Sequence, residues 1–501
     1  MKRNAKAVAR LGVAALLSSA VAAACSLGLD EGRIGQVDAA PLPTTTTTVE
    51  PPVDGTAPDA PVVKPSDAAP DSRPPATCAR NEDCLTTATC QKGRCDVAAK
   101  RCIYEICPQT DRCKVAACNA ATARCEAPVD RPFSESFSII DQPSGAGPFK
   151  GIALIEPFVF VGTSSGVYAY SLQEAGVPKT PIPVAGAAFV PQYLFASGRR
   201  LYLVGPLQGS LQRRLAVGWL DVPSDPAPAE LRAESKYVTF NAPSLGSVFP
   251  YPGERMLVGQ QSSGSAFGIT EPPFGAAIAL QTAILPSGQL AASSGDRVVL
   301  LRAVGGTSAP VLSLVTGAGT PTPNAGADQS VAAGGNASYN YASGHFATSP
   351  GGAVAMSWHM TNSASPFNNN AVAARLSFLL KDDKDVSFAS SDFIDYATFP
   401  APGVNPNISN LAGPIAWADD TTLLATYATP GDTGRTSVVF VRRGRTDAGV
   451  DAGVTAPVDL PFSAGNVLSV AAAPGVGALL VSAGGGGYQV TVLREGCAAS
   501  P

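Results

Sequence analysis

The segment at 158–172 decides the fold class: it reads FVFVG at 158–162, TSSG at 163–166 and VYAYSL at 167–172. Apolar, β-branched and aromatic residues stand on both sides of a short polar turn, which is typical of paired strands. Gly166 at the end of the turn can adopt the positive φ angle that a tight hairpin needs. The segment therefore predicts a β-hairpin.

Segments of the same kind recur throughout a block that extends over about 133–497. They are LYLVG (201–205) with LAVGWLDV (215–222), RMLVGQ (255–260) with SAFGIT (265–270), DRVVLLRAV (296–304), GAVAMSWHM (352–360) with ARLSFLL (374–380), TTLLATY (421–427) with SVVFVRR (437–443), and GALLVSA (477–483) with YQVTVLR (488–494). Isolated hairpins cannot bury their apolar faces, so these units are expected to stack against one another.

This cadence of apolar strand, glycine, polar turn and second apolar strand resembles the blades of β-propellers. The resemblance covers nearly all of 133–497 and implies a mainly β, propeller-like domain of about seven blades. It also implies that a strand around 136–140 completes the final blade beside 488–494. Tandem β-sandwiches are the alternative, because NAGADQSV at 324–331 resembles the opening strand of polycystic-kidney-disease-type immunoglobulin-like domains.

A duplicated cysteine pattern precedes this block. CLTTATCQKGRCDVAAKRC at 84–102 and CPQTDRCKVAACNAATARC at 107–125 share the same cysteine spacing. The pattern contains no Cys-x-x-Cys pair and no histidine, which argues against zinc. Dense cysteines in an exported chain instead indicate disulfides. We expect a small disulfide-rich module at 78–128, and the disulfide candidates are Cys78, Cys84, Cys90, Cys95, Cys102, Cys107, Cys113, Cys118, Cys125 and Cys497.

Two of these cysteines, Cys78 and Cys497, lie outside the duplicated pattern. Spacing alone does not determine disulfide connectivity. If both copies pair internally, a Cys78–Cys497 disulfide would clamp the module to the end of the large domain. Irregular pairing that leaves one thiol free is the alternative.

The N-terminal residues 1–24 are predicted to be a signal peptide. A basic start, with Lys2, Arg3, Lys6 and Arg10, is followed by an apolar run at 11–24. The run is shorter than the roughly 20 residues that cross a bilayer, and it matches the apolar part of a signal peptide. We therefore expect the chain to be exported.

The sequence VAAAC at 21–25 resembles the lipobox of bacterial lipoproteins. The resemblance implies that Cys25 becomes the first residue and carries fatty acyl chains, palmitate among them. Ser26 stands where an aspartate would favour inner-membrane retention, which implies the outer membrane. An ordinary secretory signal cleaved after Ala24 is the alternative.

Residues 25–77 begin with this lipidation candidate and continue as a Pro/Thr-rich segment. Prolines are frequent, threonines fill 44–48, and aromatic residues are absent. Such a composition buries too little apolar surface to offset the entropy of ordering the chain. We expect a disordered tether that spaces the folded part from a membrane.

Catalytic patterns are weak throughout the chain. GTSSG at 162–166 matches the Gly-x-Ser-x-Gly motif, but a strand follows it where the nucleophile elbow requires a helix. The chain has only two histidines, His345 and His359, and neither stands in an acid–base set. We expect His345 in a loop and His359 in a strand.

The acidic and aromatic candidates also favour structural roles. Carboxylates cluster at 381–385, at Asp392 and Asp395, and at 419–420, but their spacing matches no calcium loop. DAGVDAG at 447–453 is interpreted as a solvated linker. The three tryptophans, Trp219, Trp358 and Trp417, are expected to pack between blades. We therefore assign no catalytic residue, no metal site and no cofactor.

The formal net charge of −4 gives no electrostatic footprint for nucleic acid. The sequence favours a lipid-anchored protein of the cell envelope, in the outer membrane or at the cell surface. We expect it to be non-catalytic and to bind a protein or a glycan through propeller loops. The alternative is an exported hydrolase or lyase with its active site at the propeller mouth.

Overall fold

The fold is taken from a computed structural model of the chain. The described residues belong to the compact unit Pro70–Pro501, and the signal peptide (1–24), Cys25 and the tether (25–77) lie outside them. They are 78–84, 90–97, 100–107, 111–116, 118–119, 121–122, 124–143, 151–174, 178–187, 189–206, 214–224, 228, 230–239, 247–251, 255–259, 265–270, 280–284, 289–294, 297–302, 311–316, 324–330, 339–362, 371–378, 380–381, 385–386, 393–395, 412–429, 432–446, 449–483 and 486–498.

The cysteine-rich module is built from three small two-stranded sheets. A 3₁₀ turn, Asn81–Asp83, precedes them. The strands are β1 (Gln91–Asp96), β2 (Arg101–Ile106), β3 (Lys114–Val115), β4 (Cys118–Asn119), β5 (Arg124–Cys125) and β6 (Val129–Asp130). β1 pairs with β2, β3 with β6, and β4 with β5, all antiparallel.

Five disulfides join all ten candidate cysteines and confirm the predicted disulfide framework. The pairs are Cys78–Cys95, Cys84–Cys102, Cys90–Cys118, Cys107–Cys125 and Cys113–Cys497. The predicted Cys78–Cys497 pair is wrong, because Cys78 bonds within the module. A clamp to the end of the large domain nevertheless exists, and Cys113 supplies its module side.

The large domain consists of antiparallel sheets that follow one another along the chain, after strand β7 (Ser134–Ser138). Sheet 1 contains β8 (Ile152–Ile155), β9 (Phe158–Thr163), β10 (Gly166–Ser171) and β11 (Pro181–Ala185). Sheet 2 contains β12 (Tyr193–Ser197), β13 (Arg200–Pro206), β14 (Arg214–Asp221) and, after the short β15 (Leu231–Arg232), β16 (Glu234–Thr239). Sheet 3 contains β17 (Ser247–Tyr251), β18 (Arg255–Gly259), β19 (Ser265–Thr270) and β20 (Leu280–Ile284).

The second half of the domain continues the series. Sheet 4 contains β21 (Gln289–Ser294), β22 (Arg297–Arg302), β23 (Val311–Thr316) and β24 (Asn324–Ser330). Sheet 5 contains β25 (Tyr339–Thr348), β26 (Val354–Asn362), β27 (Ala371–Phe378) and, after the small hairpin β28 (Leu380–Lys381) and β29 (Asp385–Val386), β30 (Phe393–Asp395). Sheet 6 contains β31 (Ala412–Trp417), β32 (Thr422–Thr429), β33 (Asp432–Thr446), β34 (Gly449–Val454) and β35 (Val458–Leu460). Sheet 7 follows a 3₁₀ turn, Ala464–Asn466, and contains β36 (Val467–Ala473), β37 (Val476–Ser482), β38 (Tyr488–Arg494) and β7.

The first strands of the sheets form the centre of a ring. Each of β8, β12, β17, β21, β25 and β31 contacts the first strand of the next sheet, and β36 contacts β8. The predicted apolar hairpins supply the second and third strands of their sheets, as β9 and β10 do in sheet 1. This radial arrangement is that of a β-propeller, so the predicted fold class is confirmed.

The predicted blade number needs a correction. Among the described residues, five sheets have the four-stranded form of a standard blade, whereas sheets 1 and 6 have five strands. In sheet 1, β15 returns from the neighbouring sheet and pairs parallel with β11. In sheet 6, β33 is long enough to pair with both β34 and β35. Five blades of the standard four-stranded form are therefore found where about seven were expected, and sheets 1 and 6 each differ from that form by one added edge strand.

Sheet 7 closes the ring by joining the two ends of the domain. β7 pairs antiparallel with β38, and Ser138 lies opposite Gln489. The hydroxyl groups of Ser136 and Thr491 are 2.8 Å apart. This pairing confirms the predicted final blade, in which an early strand completes the last sheet.

Apolar side chains fill the spaces between neighbouring sheets. Separate clusters of buried residues lie between sheets 1 and 2, 5 and 6, 6 and 7, and 7 and 1. Trp219, Trp358 and Trp417 are all buried, as predicted. The indole nitrogen of Trp358 donates to Ser377 Oγ at 2.9 Å, which satisfies its buried polar atom.

Two local expectations are wrong, and the alternative fold suggested by 324–331 is not found in the described part of the chain. His345 lies in β25, where it faces Ser357 of β26, and not in a loop. The segment interpreted as a linker at 447–453 includes most of β34, which pairs with β33. NAGADQS at 324–330 forms the outer strand of sheet 4, so it supports the propeller and not a β-sandwich. Among the described residues, no helix has the length and apolar character to cross a membrane.

Candidate functional site

A central cavity of about 530 Å³ lies where the first strands of five sheets converge. Its wall is formed by β8, β12, β25, β31 and β36 and by the turns that follow them. Most of the lining side chains are apolar or small, such as Leu154, Phe195 and Ala471. A cavity of this size and character is typical of a binding site for a small ligand or a ligand segment.

Glu156 and Arg199 are the charged residues among those that line this cavity. Glu156 is in the turn after β8, and Arg199 is in the turn after β12. The Arg199 guanidinium donates to the backbone oxygen of Glu156 at 3.0 Å and to that of Val222 at 2.9 Å. Arg199 thus ties two neighbouring turns together at the rim. The sequence prediction missed both residues; their position directly after an apolar first strand was the available signal.

The acidic pair at 419–420 stabilises turns. Asp419 Oδ1 accepts hydrogen bonds from the backbone nitrogens of Thr421 and Thr422, both at 2.7 Å. Burial raises the pKa of Asp419, but these hydrogen bonds outweigh burial and leave the pKa below its usual value. Asp420 accepts from Ser349 Oγ at 2.9 Å and from the backbone nitrogen of Gly351, so it bridges sheets 5 and 6.

The Gly-x-Ser-x-Gly segment is a hairpin turn between β9 and β10, as predicted. Gly166 pairs with Thr163 across the turn. Ser164 Oγ donates to Asp141 Oδ2 at 2.8 Å, and this hydrogen bond lowers the pKa of the Asp141 carboxyl. The two histidines lie elsewhere, in β25 and β26 of sheet 5. The turn and the two histidines therefore belong to different sheets.

The clustered cysteine sulfur atoms of the module are bound in disulfides. Sulfur atoms cluster at Cys78, Cys84 and Cys95 and at Cys90, Cys107 and Cys125, but each of these atoms belongs to a disulfide. A disulfide sulfur is not a thiolate, and zinc is bound by thiolates.

Among the remaining acidic candidates, Asp385 and Asp395 lie in short strands, whereas Asp382, Asp383 and Asp392 lie outside the described residues.

No protein-family model matches the chain, and no curated protein matches it. The solved structures similar to it include a virginiamycin B lyase from Staphylococcus aureus, with 9% identity and a TM-score of 0.38 over 72% of this chain and 98% of that one. The β-propeller domain of Cps50 (Swd1) from Myceliophteria thermophila has 14% identity and a TM-score of 0.39 over 72% and 99%. YCF48 bound to D1 peptide has 9% identity and a TM-score of 0.39 over 73% and 98%. Likenesses this remote assign no function, and the fold rests on the sheet topology described above.

Proposed function

We propose that this protein is an exported, lipid-anchored and non-catalytic component of the cell envelope that binds a protein or glycan ligand through the propeller. Its five disulfides are typical of proteins from oxidising, exported compartments. The lipid anchor at Cys25 and the outer-membrane location extend this proposal from the lipobox resemblance.

The residues that line the central cavity are the reason for proposing binding and not catalysis. Glycosidic hydrolysis uses two carboxyl groups that flank the bond to be cleaved. Among the described residues that line this cavity, Glu156 is the only carboxylate. A largely apolar wall with one acid and one guanidinium suits a bound sugar face or an apolar peptide side chain.

A blocking substitution tests where the ligand binds. Ala196 is exposed and lines the cavity, so Ala196→Trp obstructs part of it without removing a buried contact. Ala121→Trp, at an exposed position of the module, is the matched control. With immobilised envelope glycans and envelope protein fractions as probes, we expect Ala196→Trp alone to reduce binding at least tenfold.

A cleavage assay tests the non-catalytic part of the proposal. The protein is incubated with the same glycans, and the release of shorter fragments is followed by mass spectrometry. We expect intact glycans at all times. Fragments that appear with the unaltered protein and disappear with Ala196→Trp would establish the hydrolase or lyase alternative and overturn this proposal.

Mass spectrometry of non-reduced peptides tests the anchor. An N-terminal Cys25 with acyl chains would support the anchoring and the outer-membrane location. A mature chain with an unmodified Cys25 would overturn the lipid anchor while leaving export in place.

A further inference from the structure

A second cavity, of about 320 Å³, lies between the cysteine-rich module and the propeller. It adjoins the central cavity, because Glu156 and Arg199 line both. Its cationic lining residues are Arg94, Arg112, Lys114, Arg131, Arg199 and Arg494, and its acidic ones are Asp111 and Glu156. We call it the basic cavity. The excess of cations is notable in a chain with a net charge of −4.

The propeller side of the basic cavity rests on a buried charge cluster. Glu135 Oε2 lies 2.8 Å from Arg494 Nη2, and Glu135 Oε1 lies 3.3 Å from Lys179 Nζ. The exposed fraction of the side chain is 0% for Lys179, 4% for Arg494 and 13% for Glu135. Arg131 joins the cluster and donates to the backbone oxygen of Leu172 at 2.5 Å.

The cluster contains three cations and one carboxylate, which leaves two positive charges unbalanced. Burial and, to a lesser degree, the nearby Arg494 lower the pKa of Arg131 to about 10, while Glu135 opposes the shift. Burial also lowers the pKa of Lys179, with Glu135 acting against it. Unpaired charge in such a setting is costly, and a negative group would relieve it.

One donor of the cluster has no partner among the described residues. Among the described residues, Nη1 of Arg494 is buried and has no hydrogen-bond partner. Arg494 also lines the basic cavity. Buried guanidinium groups normally use their several N–H donors, and an oxyanion would supply the acceptor that Nη1 lacks.

The module side of the basic cavity is held in place by the clamp disulfide. Arg112 and Lys114 flank Cys113, which is bonded to Cys497. Arg112 Nη1 packs so closely on Gly475 that a Cβ there would lie 1.0 Å from it, and Gly475 has a φ of +73°. The positive φ favours glycine at position 475, and the absent side chain leaves room for the Arg112 guanidinium.

We propose that the basic cavity binds a phosphate monoester. Six cationic and two acidic side chains line the cavity, and this excess of positive charge favours a group that carries about −1.5 to −2 at neutral pH. The volume of about 320 Å³ corresponds to about ten water molecules, which leaves space for a sugar or glycerol unit on the phosphate. Although the two cavities share Glu156 and Arg199, Ala196 lines only the central one, and Arg112 and Lys114 line only the basic one. The two sites can therefore be tested separately, and either can fail alone.

Calorimetry on the oxidised mature protein tests the ligand class, with glucose 6-phosphate as probe and glucose at equal ionic strength as control. We expect saturable binding of glucose 6-phosphate and none of glucose. Equal heats for the two sugars, or no binding of either, would overturn the proposal. Vesicles of phosphatidylcholine with and without phosphatidic acid then distinguish the source: competition by phosphatidic acid indicates a lipid headgroup, and its absence indicates a soluble ester.

Paired double variants locate the site on exposed residues, which avoids damage to the buried cluster. Arg112→Gln with Lys114→Gln removes two cations from the cavity wall. Arg124→Gln with Lys92→Gln removes the same two residue types from exposed positions of the module that do not line the cavity. We expect the first pair to weaken glucose 6-phosphate binding at least tenfold and the second less than twofold. Equal effects of the two pairs would overturn the assignment.

Discussion

The cysteine-rich module and the propeller solve the same stability problem in different ways. In the module, the cluster of buried apolar residues consists of Cys78, Cys84 and Cys95, with Cys102 packed against it. In the propeller, the cluster between sheets 1 and 2 alone contains aromatic and aliphatic residues from both sheets, such as Phe160 and Leu203. The module is thus held by covalent bonds, whereas the propeller is held by burial.

The difference follows from size. A short segment buries a small fraction of its surface, so its apolar contacts do not outweigh the entropy of ordering it. Disulfides lower the entropy of the unfolded chain and replace the missing core. Stacked sheets bury a continuous apolar surface, and their stability then depends on side-chain packing.

Reduction of the disulfides should separate the two regions most strongly. With a thiol reductant below the thermal transition, we expect amide protons of β1 and β2 to lose all protection, because the module has little else to hold it. Protection in the second strands of the propeller sheets, such as β32 and β37, should persist. Hydrogen exchange measured by mass spectrometry reports both regions in one experiment, and simultaneous loss would show that the clamp stabilises the propeller as well.

Truncation of a buried side chain should, in contrast, destabilise the propeller. Ile152 in β8 is 2% exposed, whereas Ile140 is 50% exposed. Ile152→Ala should lower the free energy of unfolding by about 2–5 kcal/mol through lost burial and a cavity. Ile140→Ala, the matched control, should change it by about 0.5 kcal/mol or less. Denaturant titration under oxidising conditions measures both, and similar values would mean that burial does not dominate propeller stability.

The clamp disulfide connects the two regions, so its removal sharpens the comparison. The double variant Cys113→Ser with Cys497→Ser should cost about 2–4 kcal/mol, the usual range for a disulfide. Cys84→Ser with Cys102→Ser is the control, since it removes a bond of the module alone. We expect the first variant to expose the 129–133 connection to protease and the control to leave it protected.

Much of this organisation could be predicted from sequence, and the failures have physical causes. The alternating apolar residues near Phe158 and Tyr170 indicate a hairpin whatever the surrounding fold is. The second and third strands of the sheets could therefore be predicted. The partner of Cys78 was not, because spacing carries no information on which cysteines meet in space. The basic cavity was hidden for the same reason: Arg131, Lys179 and Arg494 are far apart in sequence and meet only when β7 pairs with β38.

The smallest expected effect concerns the hairpin turn at Ser164. The Ser164 hydroxyl lowers the pKa of Asp141, so this contact favours the folded state at neutral pH and is lost as the pH falls through the lowered pKa. Ser164→Ala should raise the pKa of Asp141 toward its usual value, as carboxyl NMR titration would show, and should leave every ligand-binding activity intact. A loss of activity would mean that this serine does more than close a turn.

The pairing of β7 with β38 also determines when sheet 7 can form during synthesis. Ser136 and Thr491, which meet in sheet 7, are 355 residues apart, so a ribosome working at about 5–20 residues per second needs roughly 20–70 s to make the second after the first. During that interval β7 is an open strand edge, and such edges promote aggregation. Cys113 is likewise made long before its partner Cys497, while the eight other cysteines of the module are already present. Correct maturation therefore depends on an oxidant that acts after the C-terminal residues have arrived, or on an isomerase that repairs the pairs formed too early.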